Sequence, residues 1–219
     1  MSGLEAVRRA AVRLFAERGF AATGIRDIAR AAGLNSATLY HYVGSKEDLL
    51  TGMLRESQED LLRAGREAFA GSADPAVQLA RMVRAHVATE AVNPLTSRVS
   101  DHEVHSLTGP GRAVIVGLRD DYESLFHKAL ARGARTGQFL ITDLPVARYA
   151  LIEMCNGVAD WYRPDGRLSV AELQDRFSEL ACRMVGGRLV RRAECDPPVA
   201  ITRLSWEPLT PAGPEQASA

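Results

Sequence analysis

Residues 25–43 read IRDIARAAGLNSATLYHYV, and the spacing of their apolar side chains decides the reading of what surrounds them. Ile25, Ile28 and Ala29 recur at three and four positions, the period of one helical face, and Gly33 closes that run. Asn35 or Ser36 can cap the helix that follows, because a short polar oxygen accepts an amide proton that the first helical turn leaves over. Leu39 and Val43 form the inward face of this second helix. Two short helices joined by a tight Gly33-Leu34-Asn35 turn have the layout of a helix-turn-helix, in which the second helix enters the major groove of DNA. The face opposite Leu39 and Val43 presents Ser36, Ala37, Thr38 and His41, with Tyr40 and Tyr42 to the side. These short polar and aromatic groups reach base edges, thymine methyls or phosphate oxygens without a long flexible arm.

Upstream, Val7, Ala11, Leu14 and Phe15 share one helical face that ends at Gly19, a candidate left-handed stop. Downstream, Ser45 caps a fourth helix whose first turn carries Glu47 and Asp48, where the helix dipole favours carboxylates. Lys46 lies in the same turn, where its charge and the exposed amides would together attract a phosphate. Only Lys46 and Lys128 are lysines; the rest of the 27 positive residues are arginines. Residues 1–45 hold six arginines against Glu5, Glu17 and Asp27, so a net +3 sits inside a chain whose charges balance at 27 of each sign. On spacing alone, an ordinary three-helix cap with an amphipathic surface remains the alternative to DNA binding.

The same three-and-four periodicity continues almost throughout, and alternating β-branched runs with hairpin turns are missing, so the fold class is all-α. Asp74-Pro75 opens a helix to about Val92, and Pro94 and Pro110 punctuate the next two starts. Asp143 and Pro145 begin another helix, stopped by Pro164, and Ser169 with Glu172 forms a capping box for a last helix reaching about Val190. Five of the ten prolines fall in the 23 residues from Pro197 onward, which reads as an irregular or disordered tail. The expected organisation is a three-helix DNA-binding domain over residues 1–47, a larger helical effector-binding and dimerisation domain over 48–190, and the proline-rich tail over 191–219.

Composition narrows the function classes further. With 46% hydrophobic and 25% charged residues, the chain can bury a sizeable core. Its neutral balance excludes a histone-like polycation but not a local basic face. Cys155, Cys182 and Cys195 suit neither a disulfide framework nor a zinc knuckle. No apolar run approaches the ~20 residues that span a bilayer, and no secretory signal core opens the chain, so a cytoplasmic protein without a membrane partner is expected. His102 and His105, with Asp101 and Glu103 beside them and His86 on a neighbouring helix, are conceivable metal ligands. No further ligand follows at metal-motif spacing, so surface or hydrogen-bonded histidines are the expectation, with no metal and no cofactor. There is no Gly-rich phosphate loop after a strand, no nucleophile elbow and no zinc protease signature, so no enzyme is expected.

The stretches Leu14-Phe15-Ala16-Glu17-Arg18-Gly19-Phe20, Ile25-Arg26-Asp27-Ile28-Ala29, Ala32-Gly33-Leu34, Thr38-Leu39-Tyr40-His41-Tyr42-Val43 and Ser45-Lys46-Glu47-Asp48-Leu49-Leu50 resemble the TetR family of bacterial repressors, over residues 4–50 almost without gaps. The resemblance implies a homodimer on a pseudo-palindromic double-stranded DNA operator, released by a small-molecule effector. It implies that Thr38, Tyr40, His41 and Tyr42 contact bases or phosphates, that Arg26 reaches a base or the backbone, and that Lys46 holds a phosphate. The family usually has Ser or Thr where this chain has Gly24, and Thr23 can substitute, so either residue is a candidate for approaching the phosphate. Asn35, Ser36 and Ala37 complete the expected DNA-facing set. The alternative is a helical small-molecule-binding or interaction protein without DNA reading.

In the larger domain, Val170, Leu173, Phe177, Leu180 and Met184 follow a 3, 4, 3, 4 spacing, an a/d stripe for a helix partner. The preceding helix is apolar nearly all round, and its Val146, Ala150, Met154 and Val158 join that stripe as the expected dimer interface. A hydrophobic effector pocket is expected among Leu62, Phe69, Met82, His86, Leu107, Tyr122, Phe126, Tyr149 and Trp161, each of which can equally be plain core. The segment Gly137-Gln138-Phe139, Asp143 and residues 161–169 resembles a TetR subgroup among actinobacterial lipid and steroid regulators, which implies an acyl-CoA thioester as effector.

Overall fold

The computed structural model describes residues 2–208. Among them there are ten α-helices and no strand: α1 (Gly3–Ala22), α2 (Ile25–Ala31), α3 (Ser36–Tyr42), α4 (Lys46–Ala70), α5 (Pro75–Val92), α6 (Pro94–Glu103), α7 (Gly109–Arg135), α8 (Leu144–Asn156), α9 (Val158–Trp161) and α10 (Val170–Met184). Two short 3-10 turns, Val104–Ser106 and Arg192–Cys195, complete the regular structure. No helix among the described residues is long and apolar enough to cross a membrane.

The caps read from the sequence are made. Asn35 Oδ1 accepts from the Thr38 amide at 2.8 Å, Ser45 Oγ from the Asp48 amide at 3.0 Å and Asp143 Oδ1 from the Val146 amide at 3.0 Å. Ser169 and Glu172 close a reciprocal capping box. Gly19 takes φ 78 and ψ 160, which kinks α1 instead of ending it, and one further turn follows to Ala22. Only glycine adopts that conformation without strain. The last long helix stops six residues earlier than its apolar pattern suggests. Gly186 there adopts φ 62, and the Gly187 amide donates back to the Cys182 carbonyl at 2.9 Å, a Schellman closure that satisfies the orphan carbonyls.

The chain divides into two compact units whose limits differ from the expected boundary near residue 47. Among the described residues the first takes in 2–57, 93–115 and 203–208, the second 58–92 and 116–202. The long helices α4 and α7 therefore contribute residues to both. In the first unit, Val7, Ala11, Phe15, Ile28, Leu39, Leu50, Leu54, Val99, Leu107, Ile115 and Trp206 share one core. Trp206 corrects the expected loose tail. It is 1% exposed, and the Arg8 guanidinium lies 4.6 Å from its ring centre. The backbone from residue 196 to 208 is irregular, yet Leu204, Trp206, Glu207 and Pro208 are buried in that unit. The rest of the expected tail, residues 209–219, lies outside the described residues.

In the second unit α5 is the helix enclosed on nearly every side, packed against α10, α8 and α9. Arg81, buried there, donates to the carbonyls of Ala68, Cys195 and Pro197, which fastens residues 195–197 to α5. Asp175 of α10 accepts from Arg84 at 2.5 Å and from Arg192 at 3.1 and 2.5 Å. Burial raises its carboxyl, but the two guanidiniums outweigh burial and hold it below the usual carboxylate range. A depressed native value means that the unfolded chain binds more protons in that window. The pair therefore contributes its stability above the unfolded carboxylate value of ~3.9 and loses it as pH falls through the native one. Asp175→Asn should flatten the acid limb of a plot of Tm against pH while leaving its shape above pH 6 unchanged, and an acid limb as steep as in the parent chain would remove Asp175 from it.

Candidate functional site

The reading helix is short because both of its ends are fixed. Asn35 supplies the N-cap, and at the C-cap Val43 turns to extended backbone with its amide donating to the Leu39 carbonyl at 3.1 Å. Leu39 is fully buried and Val43 nearly so, which turns the opposite arc outward. On that arc Ala37, Tyr40, His41 and Tyr42 are exposed, and Ser36 and Thr38 partly so. Tyr40 is 52% exposed, as befits a phenol held out for a partner. Tyr42 differs, since its ring lies over the Cα of Gly3, where any β-carbon would collide with the phenol oxygen. Tyr42 thus rests on the start of α1, and the absence of a side chain at Gly3 makes the contact possible. Arg26 is exposed on α2, and Arg30 reaches Asp27 at 3.7 Å with most of its side chain in solvent.

Three expected DNA contacts are placed differently. Thr23 is 2% exposed, with its hydroxyl donating to the Gly19 carbonyl at 2.8 Å and directed at that of Leu14 at 3.3 Å. It closes the end of α1 and offers no hydroxyl to a phosphate. The Gly24 amide donates to the Asp27 carboxylate at 3.2 Å, so the start of α2 is capped from within by its own acid. Lys46 turns inward too. Its ammonium donates to the carbonyls of Phe20 and Thr23, both at 2.8 Å, and lies 4.1 Å from the centre of the Phe20 ring. The Gly19 kink brings those carbonyls to one point, where a compact cation with three rotatable donors fits and a planar guanidinium does not. In this geometry Lys46 clasps α1 to α4, and the expectation that it holds a phosphate falls to a test on DNA. Lys46→Ala should lower stability by about 1–3 kcal/mol, the range for a hydrogen-bonded charge whose partners are left unpaired. The slope of log affinity against log salt on DNA should not change; a slope about one unit shallower would return Lys46 to the phosphate backbone.

The expected effector residues divide. Leu62, Met82, His86, Tyr122 and Phe126 converge in the second unit's core, with Phe69 partly buried against it. There His86 meets Tyr122 edge-on at 5.3 Å, and Tyr122 packs against Phe126 at 5.6 Å. Glu90, one turn on from His86 and 3.6 Å from its Nε2, was not singled out by the sequence, although its i, i+4 spacing from His86 is legible there. Tyr122 is 4% exposed, and Gly65 leaves the space its ring occupies, since a β-carbon there would meet it at 2.7 Å. Burial pushes the Tyr122 phenol and the neighbouring Cys155 thiol up, keeping both neutral. Tyr122, His86 and Glu90 thus bring polar groups together inside an apolar interior. Leu107, by contrast, belongs to the first unit's core. Tyr149 and Trp161 are half-exposed; Arg148 sits 4.6 Å over the Tyr149 ring, and Trp161 stacks on Phe177 at 6.1 Å. Among the described residues no group of three or more His, Cys, Asp or Glu is placed to hold a metal, and His102 and His105 are exposed.

The expected interface divides as well. Val158, Leu173 and Phe177 are buried within their own unit, while Val146, Ala150, Leu180 and Met184 are exposed and Met154 and Val170 intermediate. The buried arc of α10, which also takes in Ser178, Ala181 and Cys182, is centred about a quarter-turn from the row that carries Leu180 and Met184. The apolar stripe therefore runs along the edge of the buried face, covered at its start and bare at its end.

Two family models match this chain. Residues 7–53 match the model of bacterial regulatory proteins of the tetR family, and residues 72–185 match the Tetracyclin repressor-like C-terminal domain. The HTH-type transcriptional repressor KstR2 of Rhodococcus jostii (strain RHA1) is 32% identical over 169 residues, 76% of this chain and 83% of that protein. The solved structure of the ketosteroid transcriptional regulator KstR2 of Mycobacterium tuberculosis superposes with a TM-score of 0.76 at 25% identity, over 87% of this chain and 96% of that one. AibR, solved in complex with isovaleryl coenzyme A and operator DNA, has the same fold, with a TM-score of 0.69 at 24% identity over 82% and 97% of the two chains.

Proposed function

The chain belongs to the tetR family of bacterial regulatory proteins, and on that premise we propose that it is a repressor which grips a pseudo-palindromic operator as a homodimer and lets go when an acyl-CoA thioester enters its second unit. That it is a DNA-binding, ligand-responsive transcriptional regulator follows from the family. The repressor sense, the dimer and the effector class are the finer reading. The observation that carries it is the exposed arc of Ala37, Thr38, Tyr40 and His41 on a helix fixed at both ends, which a helical sequestering module has no reason to hold in solvent. Support for the effector comes from KstR2, named a ketosteroid transcriptional regulator, and from the isovaleryl coenzyme A bound by AibR. The buried Tyr122, His86 and Glu90 cluster suits a polar group carried on a hydrophobic body. Catalysis forms no part of this reading, and the residues proposed to act on DNA are Arg26, Thr38, Tyr40 and His41.

Two such heads read DNA together when their α3 helices stand about one helical turn apart, ~34–36 Å. Emptying an occupied operator requires the effector to favour the released state by ~5.5 kcal/mol, so a ligand that binds both states equally does nothing. The test is a gel shift against the DNA flanking the chain's own gene, followed by titration of fatty and steroid-derived acyl-CoA esters. Retardation of that duplex over random competitor, with release at micromolar ester, supports the reading; retardation that no ester relieves discards the effector class and keeps the repressor.

A further inference from the structure

The end of the described chain, residues 203–208, lies beyond both family models yet inserts into the unit that reads DNA. Its contacts gather on α6 and α1. The Glu207 carboxylate accepts from the Leu95 amide at 2.8 Å, the Thr96 amide at 3.1 Å and the Thr96 hydroxyl at 2.6 Å, at the N-terminal end of α6. Those are donors that a helix start leaves unsatisfied, and a carboxylate is the group the helix dipole favours there. The Trp206 indole N–H donates to the Thr96 hydroxyl oxygen at 3.2 Å, and the Leu204 amide to Asn93 Oδ1 at 2.9 Å. On α1, Arg8 lies over the Trp206 ring and Arg9 donates to the Ser205 carbonyl at 2.9 Å.

The far end of α6 is tied to the bend of α1. Glu103, its last residue, accepts from the Phe20 amide at 3.0 Å and from the Ser106 hydroxyl at 2.8 Å. Phe20 follows the Gly19 kink, and its carbonyl is one of the two held by Lys46, immediately before α2 begins. A continuous set of hydrogen bonds thus runs from Glu207, through both ends of α6, to the bend of α1 that aims α2 and α3.

We infer that Trp206 and Glu207 are positioning residues for DNA reading: they fix α6 as a brace whose Glu103 holds the α1 kink, and through it the orientation of the recognition helix. The inference rests on the DNA-binding reading for its consequence but not for its geometry. The burial of Glu207 raises its carboxyl, although the donors from Leu95 and Thr96 oppose the rise.

The test compares the full chain with one ending at Thr202 and with Trp206→Phe, Trp206→Ala and Glu207→Gln, on the duplex flanking its gene and on random duplex. Glutamine cannot present a second acceptor to the Thr96 donors, whereas phenylalanine keeps the ring beneath Arg8 and loses one hydrogen bond. Expected is at least a tenfold loss of specific affinity for the truncated chain, Trp206→Ala and Glu207→Gln. Trp206→Phe should come back to within threefold of the parent. Binding to random duplex, which depends on phosphate charge and not on the orientation of α3, should hold within twofold for every variant that keeps its helical circular dichroism. Amide exchange at Phe20 should speed up in the same three proteins while α5 amides hold their rate. That readout needs no DNA, so it separates a failed brace from a failed repressor assignment. Phe20 exchange unchanged in Glu207→Gln, or equal losses on specific and random duplex, would overturn the inference.

Discussion

Replacing Leu180 and Met184 together by aspartate is expected to give a folded monomer whose operator affinity has fallen about 10²- to 10⁴-fold, the usual gain of joining two binding heads. Leu180 and Met184 are 50% and 45% exposed, so within the subunit the new carboxylates meet water, and the buried arc of Leu173, Phe177 and Ala181 keeps its packing. In a helix-to-helix interface the same carboxylates would be buried without partners, at several kcal/mol each. α8 touches α10 and leaves Val146, Tyr149 and Ala150 bare in the same way, so together they present more apolar surface than a lone subunit has reason to show. Sedimentation should give twice the chain mass for the parent and a single chain mass for the double variant, with fluorescence anisotropy reporting the lost operator affinity. A double variant that still sediments as a dimer at micromolar concentration moves the interface elsewhere.

The head was legible in the sequence because its rules are local. Asn35 caps α3 three residues away, Ser45 and Ser169 act over the same distance, and Leu39 and Val43 lie one turn apart, so periodicity and capping chemistry placed them. The inward direction of Lys46 was not legible because it depends on a bend 27 residues upstream. Sequence marks Gly19 as a place where φ can turn positive, but not that the chain there bends and continues, bringing the Phe20 and Thr23 carbonyls to one ammonium. The core that holds Leu107 was not legible for a related reason: apolar character says that it is inside without saying in which core. Trp206 and Glu207 were lost to composition. Proline density suggested a loose tail, yet a tryptophan beside an acid is a poor choice for a segment with nothing to bury, and their partners Thr96 and Arg8 lie 110 and 198 residues away along the chain. The division of the α10 stripe is a matter of degree, since all five of its apolar residues lie on one edge of the helix and only packing decides where cover ends.

Tyr40→Ala and Thr38→Ala should each reduce operator affinity by about 1–3 kcal/mol, roughly five- to 150-fold, and change which bases are preferred. Both residues stand on the arc of α3 opposite Leu39, with no part in the first unit's core, so their removal leaves the fold as it was. Neither carries charge, and the loss should therefore be the same at 50 and 200 mM salt. Arg26→Ala should instead lose affinity more evenly across sequences and reduce the salt slope by about one unit, because a guanidinium on phosphate acts by releasing counterions. Anisotropy titrations on the operator and on single-base variants, at two salt concentrations, sort each side chain into one class. If Tyr40→Ala weakens every duplex equally, the phenol is a backbone contact and the reading of bases passes to Thr38 and Ala37.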